Sequence, residues 1–576
     1  MEMITLTIDG KKVEVAKGAT ILNAAQKAGI RIPTLCYHPE LSLEGACRVC
    51  VVEVEGARGL VASCVFPAAE GMVVKTNTPV VREGRKMVVE LLLANHPQDC
   101  LTCQRNLNCE LQTMALEMGI REQRFEGQKK HYEKDVSNLS LVRDQNKCIL
   151  CGRCVRACAE KQGAHVYSFA DRGFDTKVIP AFDRGLGEAA CVLCGQCANV
   201  CPVGAIVEVD DTEKVWAALG DPEKHVIVQT APAIRVALGE DLGMAPGSIV
   251  TGKMVSALRL LGFDKVFDTD FTADLTILEE GNEFLQRLQN AGTMPMLTSC
   301  SPGWVNFMEI NYPDLLDHLS TAKSPQQMFG ALVKTYYAEK FGVDPQNIVS
   351  VSIMPCVAKK TEAARPEMNA SGYQDVDYVL TTRELARMIS SAGVDFKKLP
   401  EEEFDAPMGI TTGAGVLFGA TGGVMEAAIR TVHAVVLGKE MPKLEYHPAR
   451  GMEGIKEAVV DLEGTKVKIA VVHALSNARI LMDKIRAGEA DYHFVEVMAC
   501  PGGCIGGGGQ PYCCDNPAEV RQQRTDAIYN ADQLSKLRQS HLNPAVKELY
   551  DDWLGEPLGK KSHHLLHTHY HKQDKV

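Results

Sequence analysis

The sequence predicts a multidomain chain, with small α+β modules built around cysteines in front, a larger α/β domain with parallel sheets behind, and a helical C-terminal tail. Three observations carry that expectation. At 576 residues the chain has room for about three to five domains. Fifteen of its 21 cysteines precede residue 202. From about Val226 onward, short apolar runs alternate with helical segments, the pattern of strands buried on both faces. A content of 45% hydrophobic and 23% charged residues excludes a largely disordered chain. The net charge of −12 argues against a nucleic-acid partner. No apolar run reaches the roughly 18 residues of a membrane span, and the start lacks a signal-peptide pattern, so a cytoplasmic location is expected. In such a chain, repeated C-x-x-C points to metal rather than to disulfides.

Residues 1–79 read as the first module. Ile4, Leu6 and Ile8 alternate, turn through Asp9-Gly10 and return at Val13 and Val15, which predicts a hairpin. A short amphipathic helix is expected from about Thr20 to Lys27. Cys36, Cys47, Cys50 and Cys64 follow with spacings x10, x2 and x13. Four thiolates on loops beside a small sheet resemble a plant-type [2Fe–2S] ferredoxin, although the first gap exceeds the usual x4. Zinc also accepts four cysteines. Residues 80–120 carry H-x3-C-x2-C-x5-C, with one imidazole and three thiolates at His96, Cys100, Cys103 and Cys109. Alone, that set suits zinc or a cluster equally. Between two iron–sulfur modules it reads as a His-ligated [4Fe–4S] site, because zinc would interrupt an electron path.

Residues 138–210 hold the strongest signal. Cys148, Cys151, Cys154 and Cys158 form C-x2-C-x2-C-x3-C, and Cys191, Cys194, Cys197 and Cys201 repeat it, with Pro202 following. The pair resembles the bacterial two-cluster ferredoxin run, in which each fourth cysteine serves the other cluster. The expected sets are Cys148, Cys151 and Cys154 with Cys201, and Cys191, Cys194 and Cys197 with Cys158.

Behind these modules, strands are expected at Val226–Gln229, Ile348–Ile353, Val376–Leu380, Val467–Val472 and Phe494–Val497. Ligands in such folds bind beyond the carboxyl ends of the strands, where the remaining cysteines fall. Thr298-Ser299-Cys300-Ser301-Pro302-Gly303-Trp304, Met354-Pro355-Cys356-Val357-Ala358-Lys359-Lys360-Thr361-Glu362 and Glu496-Val497-Met498-Ala499-Cys500-Pro501-Gly502-Gly503-Cys504 are the three segments, the last running into Gly506–Gly509. They resemble the three signatures of the [FeFe]-hydrogenase active-site domain. The front third also resembles the large iron–sulfur subunit of respiratory complex I, but the back portion separates the two. By this likeness residues 222–515 form a two-lobed catalytic domain and residues 516–576 a small-subunit-like segment. Leu565-Leu566-His567-Thr568-His569-Tyr570 is similar to the tail of catalytic subunits of NAD(P)-linked, multisubunit hydrogenases, electron-bifurcating ones among them.

The resemblance implies an H-cluster, a [4Fe–4S] cubane joined to a di-iron unit bearing CO, CN⁻ and azadithiolate, fed by one [2Fe–2S] and three accessory [4Fe–4S] clusters. Cys356, Cys500 and Cys504 match cubane ligands, with Cys504 bridging, and Lys359 places an ammonium donor on a cyanide. Ala231, Pro232 and Gln326 match contacts to the diatomic ligands, and Met354 and Met498 pack beside the iron. Glycines 502, 503 and 506–509 are expected to let backbone amides approach the anionic cofactor. One position departs from the family, which has paired cysteines where this chain has Cys300-Ser301. Cys300 falls at the proton-transfer position and Ser301 at the ligand position, and alkoxide is a harder, poorer iron ligand than thiolate. Ser301 ligates through oxygen, Cys300 ligates by a local shift, or that iron is otherwise coordinated; the first outcome is preferred.

Glu280, Ser320, Glu283 and Arg287 occupy the family's proton-relay positions behind Cys300, and the two glutamates and the arginine share one helical face. The implied activity is reversible conversion of H2 to two protons and two electrons. Ferredoxin, an NAD(P)-binding flavin and iron–sulfur partner, or both would exchange the electrons, since no G-x-G-x-x-G follows a strand here. An H2 sensor with slow turnover and a non-catalytic iron–sulfur electron-transfer or assembly protein are the competing readings. Cys513 and Cys514 suggest no role.

Overall fold

A computed structural model describes residues 2–439, 441, 443–462, 464–513 and 516–575, so Cys514 lies outside the described residues. The first module is a five-stranded sheet in the order Lys11–Ala16, Met3–Ile8, Val73–Lys75, Val51–Val54, Val61–Ala62. Its first two strands form the expected hairpin, with Ile8 opposite Lys11. Asp9 (φ 48°) and Gly10 (φ 81°) both sit in the left-handed region, as a two-residue turn matching strand twist requires. The helix spans Ile21–Lys27, one residue shorter than expected, because Thr20 is its cap: the Thr20 hydroxyl accepts from the Asn23 amide and the Asn23 side chain accepts from the Thr20 amide.

In the next module, Thr78 caps the helix Pro79–Asn95 and His96 ends it, while Cys109 immediately precedes the helix Glu110–Glu117. The double-motif module repeats its own geometry. Gly152 (φ 70°) and Gly195 (φ 75°) each open a short helix, Arg153–Arg156 and Gln196–Val200, that carries the third cysteine of its run. Leu141–Arg143 and Ile206–Glu208 pair antiparallel to close the module.

Behind lie two four-stranded sheets. One is wholly parallel, in the order Lys265–Asp268, His225–Thr230, Ile348–Met354, Tyr378–Thr381. The other runs Met296–Leu297, Phe494–Met498, Thr465–His473, Ile455–Leu462. Its last strand, not expected from the sequence, is antiparallel to its neighbour, while the other pairings in the sheet are parallel. Val459 is exposed on that strand, so it reads as a half-solvated edge rather than as a continuous apolar run. The strand expected at Val376–Leu380 begins only at Tyr378, because Asp375, in the turn before it, is engaged by Lys323 and by the Ala370 and Ser371 amides. Helices including Asp270–Gln289 cover the sheets, and Pro517–Leu534 and Lys560–Leu566 form the tail. Among the described residues no helix is long and apolar enough to cross a membrane.

Candidate active site

The carboxyl ends of strands from both sheets converge on one buried region. His225–Thr230 leads into Ala231-Pro232, Ile348–Met354 into Pro355-Cys356, Met296–Leu297 into the Cys300-Ser301 loop, and Phe494–Met498 into Ala499-Cys500. Met354 and Met498 are the buried last residues of their strands. The Cys356, Cys500 and Cys504 thiols lie together, and burial, then the charge of Cys356, pushes Cys504 up to about 12 and raises Cys500. Thiols that burial keeps from ionising suit metal ligation, in which a cation replaces the proton.

The glycine-rich run sits closer to protein than expected. A Cβ on Gly507 would stand 2.1 Å from the Pro355 carbonyl oxygen, and one on Gly508 2.4 Å from that of Cys194. These glycines therefore let the Cys504 loop lie directly on the Cys356 loop and on the second ferredoxin run, a packing role beside the cofactor role expected for them.

Lys359 Nζ donates to the Cys300 carbonyl at 3.1 Å and to Glu362 at 2.8 Å. Glu362 in turn accepts from Gln326 Nε2 at 3.0 Å, while Ser352 donates to Gln326 Oε1 at 2.8 Å. Arg235 donates to the Pro232 carbonyl at 3.1 Å and is anchored by Asp268 at 2.7 Å and Asp270 at 3.0 Å. Glu496 accepts from the Gly422 and Met425 amides at 2.6 and 2.7 Å. Sequence reasoning assigns Arg235, Glu362 and Glu496 no role, although the last two stand inside the quoted motifs.

Cys300 and Ser301 face different surroundings. The Cys300 thiol is driven well up by burial and then by Glu280, with Lys359 opposing. Ser301 precedes the helix Pro302–Asn311, and its Oγ accepts from the Ala499 amide at 3.4 Å, one residue from Cys500. Glu280 and Glu283 are buried on the helix Asp270–Gln289, which also carries Arg287. Burial, and then the Glu283 charge, raises Glu280 to about 8. Among the described residues neither Glu280 carboxyl oxygen completes a hydrogen bond, although Ser320 and Ser299 stand near enough to oppose the rise. Glu283 accepts from Ser320 Oγ at 2.8 Å and from Arg287 at 2.6 Å, and Arg287 also donates to the Asp317 and Leu319 carbonyls near the surface.

Several front cysteines lie close to one another. Cys36 meets Cys47 and Cys64, and Cys50 meets Cys64. Burial, and then Lys147, lowers His96 to about 4, leaving a neutral imidazole whose buried Nδ1 has no hydrogen bond among the described residues. Cys201 bears on Cys148, Cys151 and Cys154, whereas Cys158 bears on Cys191 and Cys197. Among the described residues no group of three or more His, Cys, Asp or Glu closes around a single ion, so the thiols are grouped yet spread. Arg156 donates to the Cys36 carbonyl at 2.7 Å and the Cys151 carbonyl at 3.2 Å, tying the first module to the first ferredoxin run. Gly204, three residues past Cys201, leaves room for the Cys103 thiol, and Cys194 stands beside Cys500. Cys513 is half-buried.

Comparison with known proteins agrees with this architecture. Residues 224–508 match the family described as iron only hydrogenase large subunit, C-terminal domain, and residues 518–573 match iron hydrogenase small subunit. Residues 1–79 match a 2Fe-2S iron-sulfur cluster binding domain, residues 85–124 the NADH-ubiquinone oxidoreductase-G iron-sulfur binding region, and residues 147–205 a 4Fe-4S dicluster domain. The chain is 53% identical to the NADP-reducing hydrogenase subunit HndD of Solidesulfovibrio fructosivorans, across 100% of both chains. It is 42% identical to iron hydrogenase 1 of Clostridium pasteurianum, over 99% of this chain and 100% of that one. A variant of [FeFe]-hydrogenase HydA1 from Chlamydomonas reinhardtii superposes with a TM-score of 0.57 at 45% identity, over 64% of this chain and 100% of that chain. With the converging thiols and the accessory modules in place, the chain belongs to the [FeFe]-hydrogenase family.

Proposed function

We propose that this chain is the catalytic subunit of a hydrogenase that reversibly converts H2 to two protons and two electrons. The observation that carries the reading is the cluster of the half-buried Cys356 and Cys504 thiols with the buried Cys500, with Lys359 on the Cys300 carbonyl and the buried Glu280 carboxyl behind Cys300. When bound, the H-cluster supplies the Lewis-acidic iron and the bridgehead amine at which H2 is split. Cys356, Cys500, Cys504 and Ser301 would hold its cubane, Ala231, Pro232 and Gln326 would line its diatomic ligands, and Met354 and Met498 would pack beside it.

The rest of the work falls to the chain. Cys300 Sγ hands a proton to Glu280, which is neutral near pH 7 and so accepts only as it gives its own proton onward. Ser320 and Glu283 continue the route, and Arg287 holds Glu283 and shapes the exit. The two ferredoxin-like cysteine runs would hold clusters that supply electron transfer to and from the active site, and Cys194 of the second run adjoins Cys500. Cys36, Cys47, Cys50 and Cys64 would hold a [2Fe–2S] cluster and His96, Cys100, Cys103 and Cys109 a [4Fe–4S] cluster, the first tied to the ferredoxin-like module by Arg156 and the second packed on it at Gly204. Residues 1–79, 80–120, 138–210, 222–515 and 516–576 are the working units of this reading. An NAD(P)-binding flavin and iron–sulfur partner, ferredoxin, or both exchange electrons with it in the cytoplasm; the likeness to an NADP-reducing hydrogenase subunit supports the first. The test is iron and zinc analysis with an H2-uptake assay on protein produced with its maturation machinery. Iron for one [2Fe–2S], three [4Fe–4S] and one six-iron site is expected, and stoichiometric zinc would overturn the front-module assignments.

A further inference from the structure

Proton relays depend on sub-ångström spacing, so whatever fixes the segment bearing Ser320 bears on the rate. That segment is held from both sides. On one side the Ser320 amide donates to the Leu297 carbonyl at 2.8 Å, extending the second sheet. On the other lies the C-terminal tail, antiparallel through an Ala322–His567 bridge. The Lys323 amide donates to the Leu566 carbonyl and the Thr568 amide to the Thr321 carbonyl, both at 2.8 Å. His567 Nδ1 and Thr321 Oγ1 bond at 2.8 Å, and Tyr570 Oη donates to the Ala322 carbonyl at 3.5 Å. The same carbonyl accepts from Ser299 Oγ, the neighbour of Cys300, at 2.8 Å.

The tail also grips the relay helix. Glu279, adjacent to Glu280, is fully buried, and among the described residues its side-chain partners come from the tail: Tyr550 Oη, Ser562 Oγ, the Leu558 amide at 2.9 Å and His567 Nε2 at 3.1 Å. His567 thus bridges the two elements whose spacing defines the route, the helix carrying Glu280 and Glu283 and the segment carrying Ser320. Glu283 feels both, because the Thr321 amide donates to its two oxygens at 3.2 and 3.1 Å.

We infer that His567 and Tyr570 are positioning residues for proton transfer, acting through Thr321 and Ala322 to set the spacing of Ser320 and Glu283. This rests on the hydrogenase reading above. It assigns the small-subunit-like tail a part in the reaction rather than in folding alone.

Thr321→Val tests it, because the exchange keeps the volume and the backbone amide to Glu283 while deleting the bond to His567. In matured protein we expect H2 turnover to fall about 10-fold with a larger solvent deuterium isotope effect, as proton transfer becomes more rate-limiting. Iron content, CO and CN⁻ infrared bands and cluster reduction by dithionite should match wild type, and hydrogen exchange in the Ser320–Lys323 peptide should quicken. Thr321→Ser should restore turnover and isotope effect together. Tyr570→Phe, a change in a half-buried side chain, should act in the same direction by about 3-fold. Wild-type turnover and isotope effect in both variants would overturn the inference, as would a loss that merely tracks lost iron. Wild-type protein without H2 turnover would instead remove the hydrogenase reading, and this one with it.

Discussion

Glu280 should lose its proton at about pH 8, far above the 4.5 of an ordinary glutamate. Burial supplies most of that displacement and the Glu283 carboxylate adds to it, while Ser320 and the Ser299 amide act in the opposite sense. A rise from 4.5 to about 8, at about 1.4 kcal/mol per unit, bounds the cost of charging this side chain in the fold at about 5 kcal/mol. Because the folded chain binds the proton more tightly than the unfolded one, that stabilisation is complete below about pH 4.5. It is lost as pH rises through about 8. Difference infrared spectroscopy of the carboxyl region would follow the titration, with Glu280→Gln assigning the band. About nine-tenths of the band should remain at pH 7 and about one-tenth at pH 9. Glu283→Gln removes the adjacent charge and should lower the midpoint by about one unit. A Glu280 band that disappears near pH 4.5, or a midpoint indifferent to Glu283→Gln, would show that burial and Glu283 do not hold this proton.

Other variants separate the remaining roles. Glu283→Gln should cut H2 turnover by about 10²-fold or more with the CO and CN⁻ bands intact, since an amide cannot relay protons; wild-type turnover would show another exit. Cys300→Ala should suppress turnover while the cubane still assembles, and Ser301→Cys should raise cluster retention and move the cubane potential, both read by iron analysis and redox titration. Cluster loss in Cys300→Ala would mean that Cys300 is the ligand. His96→Ala should remove up to one accessory [4Fe–4S] cluster's iron and leave the H-cluster bands unchanged; unaltered iron and spectra would strike His96 from the ligands.

Local features of the fold are legible in the sequence. The hairpin at Asp9-Gly10 follows from local turn chemistry, and each C-x2-C-x2-C-x3-C run carries the glycine that opens the short helix bearing its third cysteine. The spacing of Glu280, Glu283 and Arg287 likewise announces one helical face. Less visible are the contacts made across long stretches of chain. Nothing in the period of Ile455–Leu462 says antiparallel, because pairing direction is set by the partner strand. Nothing around His567 says that it reaches Glu279 and Thr321, since both lie more than 240 positions upstream. The glycines of 506–509 show their need for room, but whether backbone or cofactor fills it depends on where Pro355 and Cys194 arrive. Arg235 with Asp268 and Asp270 is a buried ionic group, which reads in sequence as ordinary surface charge.

The most direct test of the central claim is the infrared spectrum of the protein after production with the hydrogenase maturation machinery. If Cys356, Cys500, Cys504 and Lys359 hold the H-cluster as proposed, the protein should show CO and CN⁻ stretching bands that shift under H2. A fully iron-loaded protein with no such bands would contradict the account and leave an electron-transfer protein on the same fold.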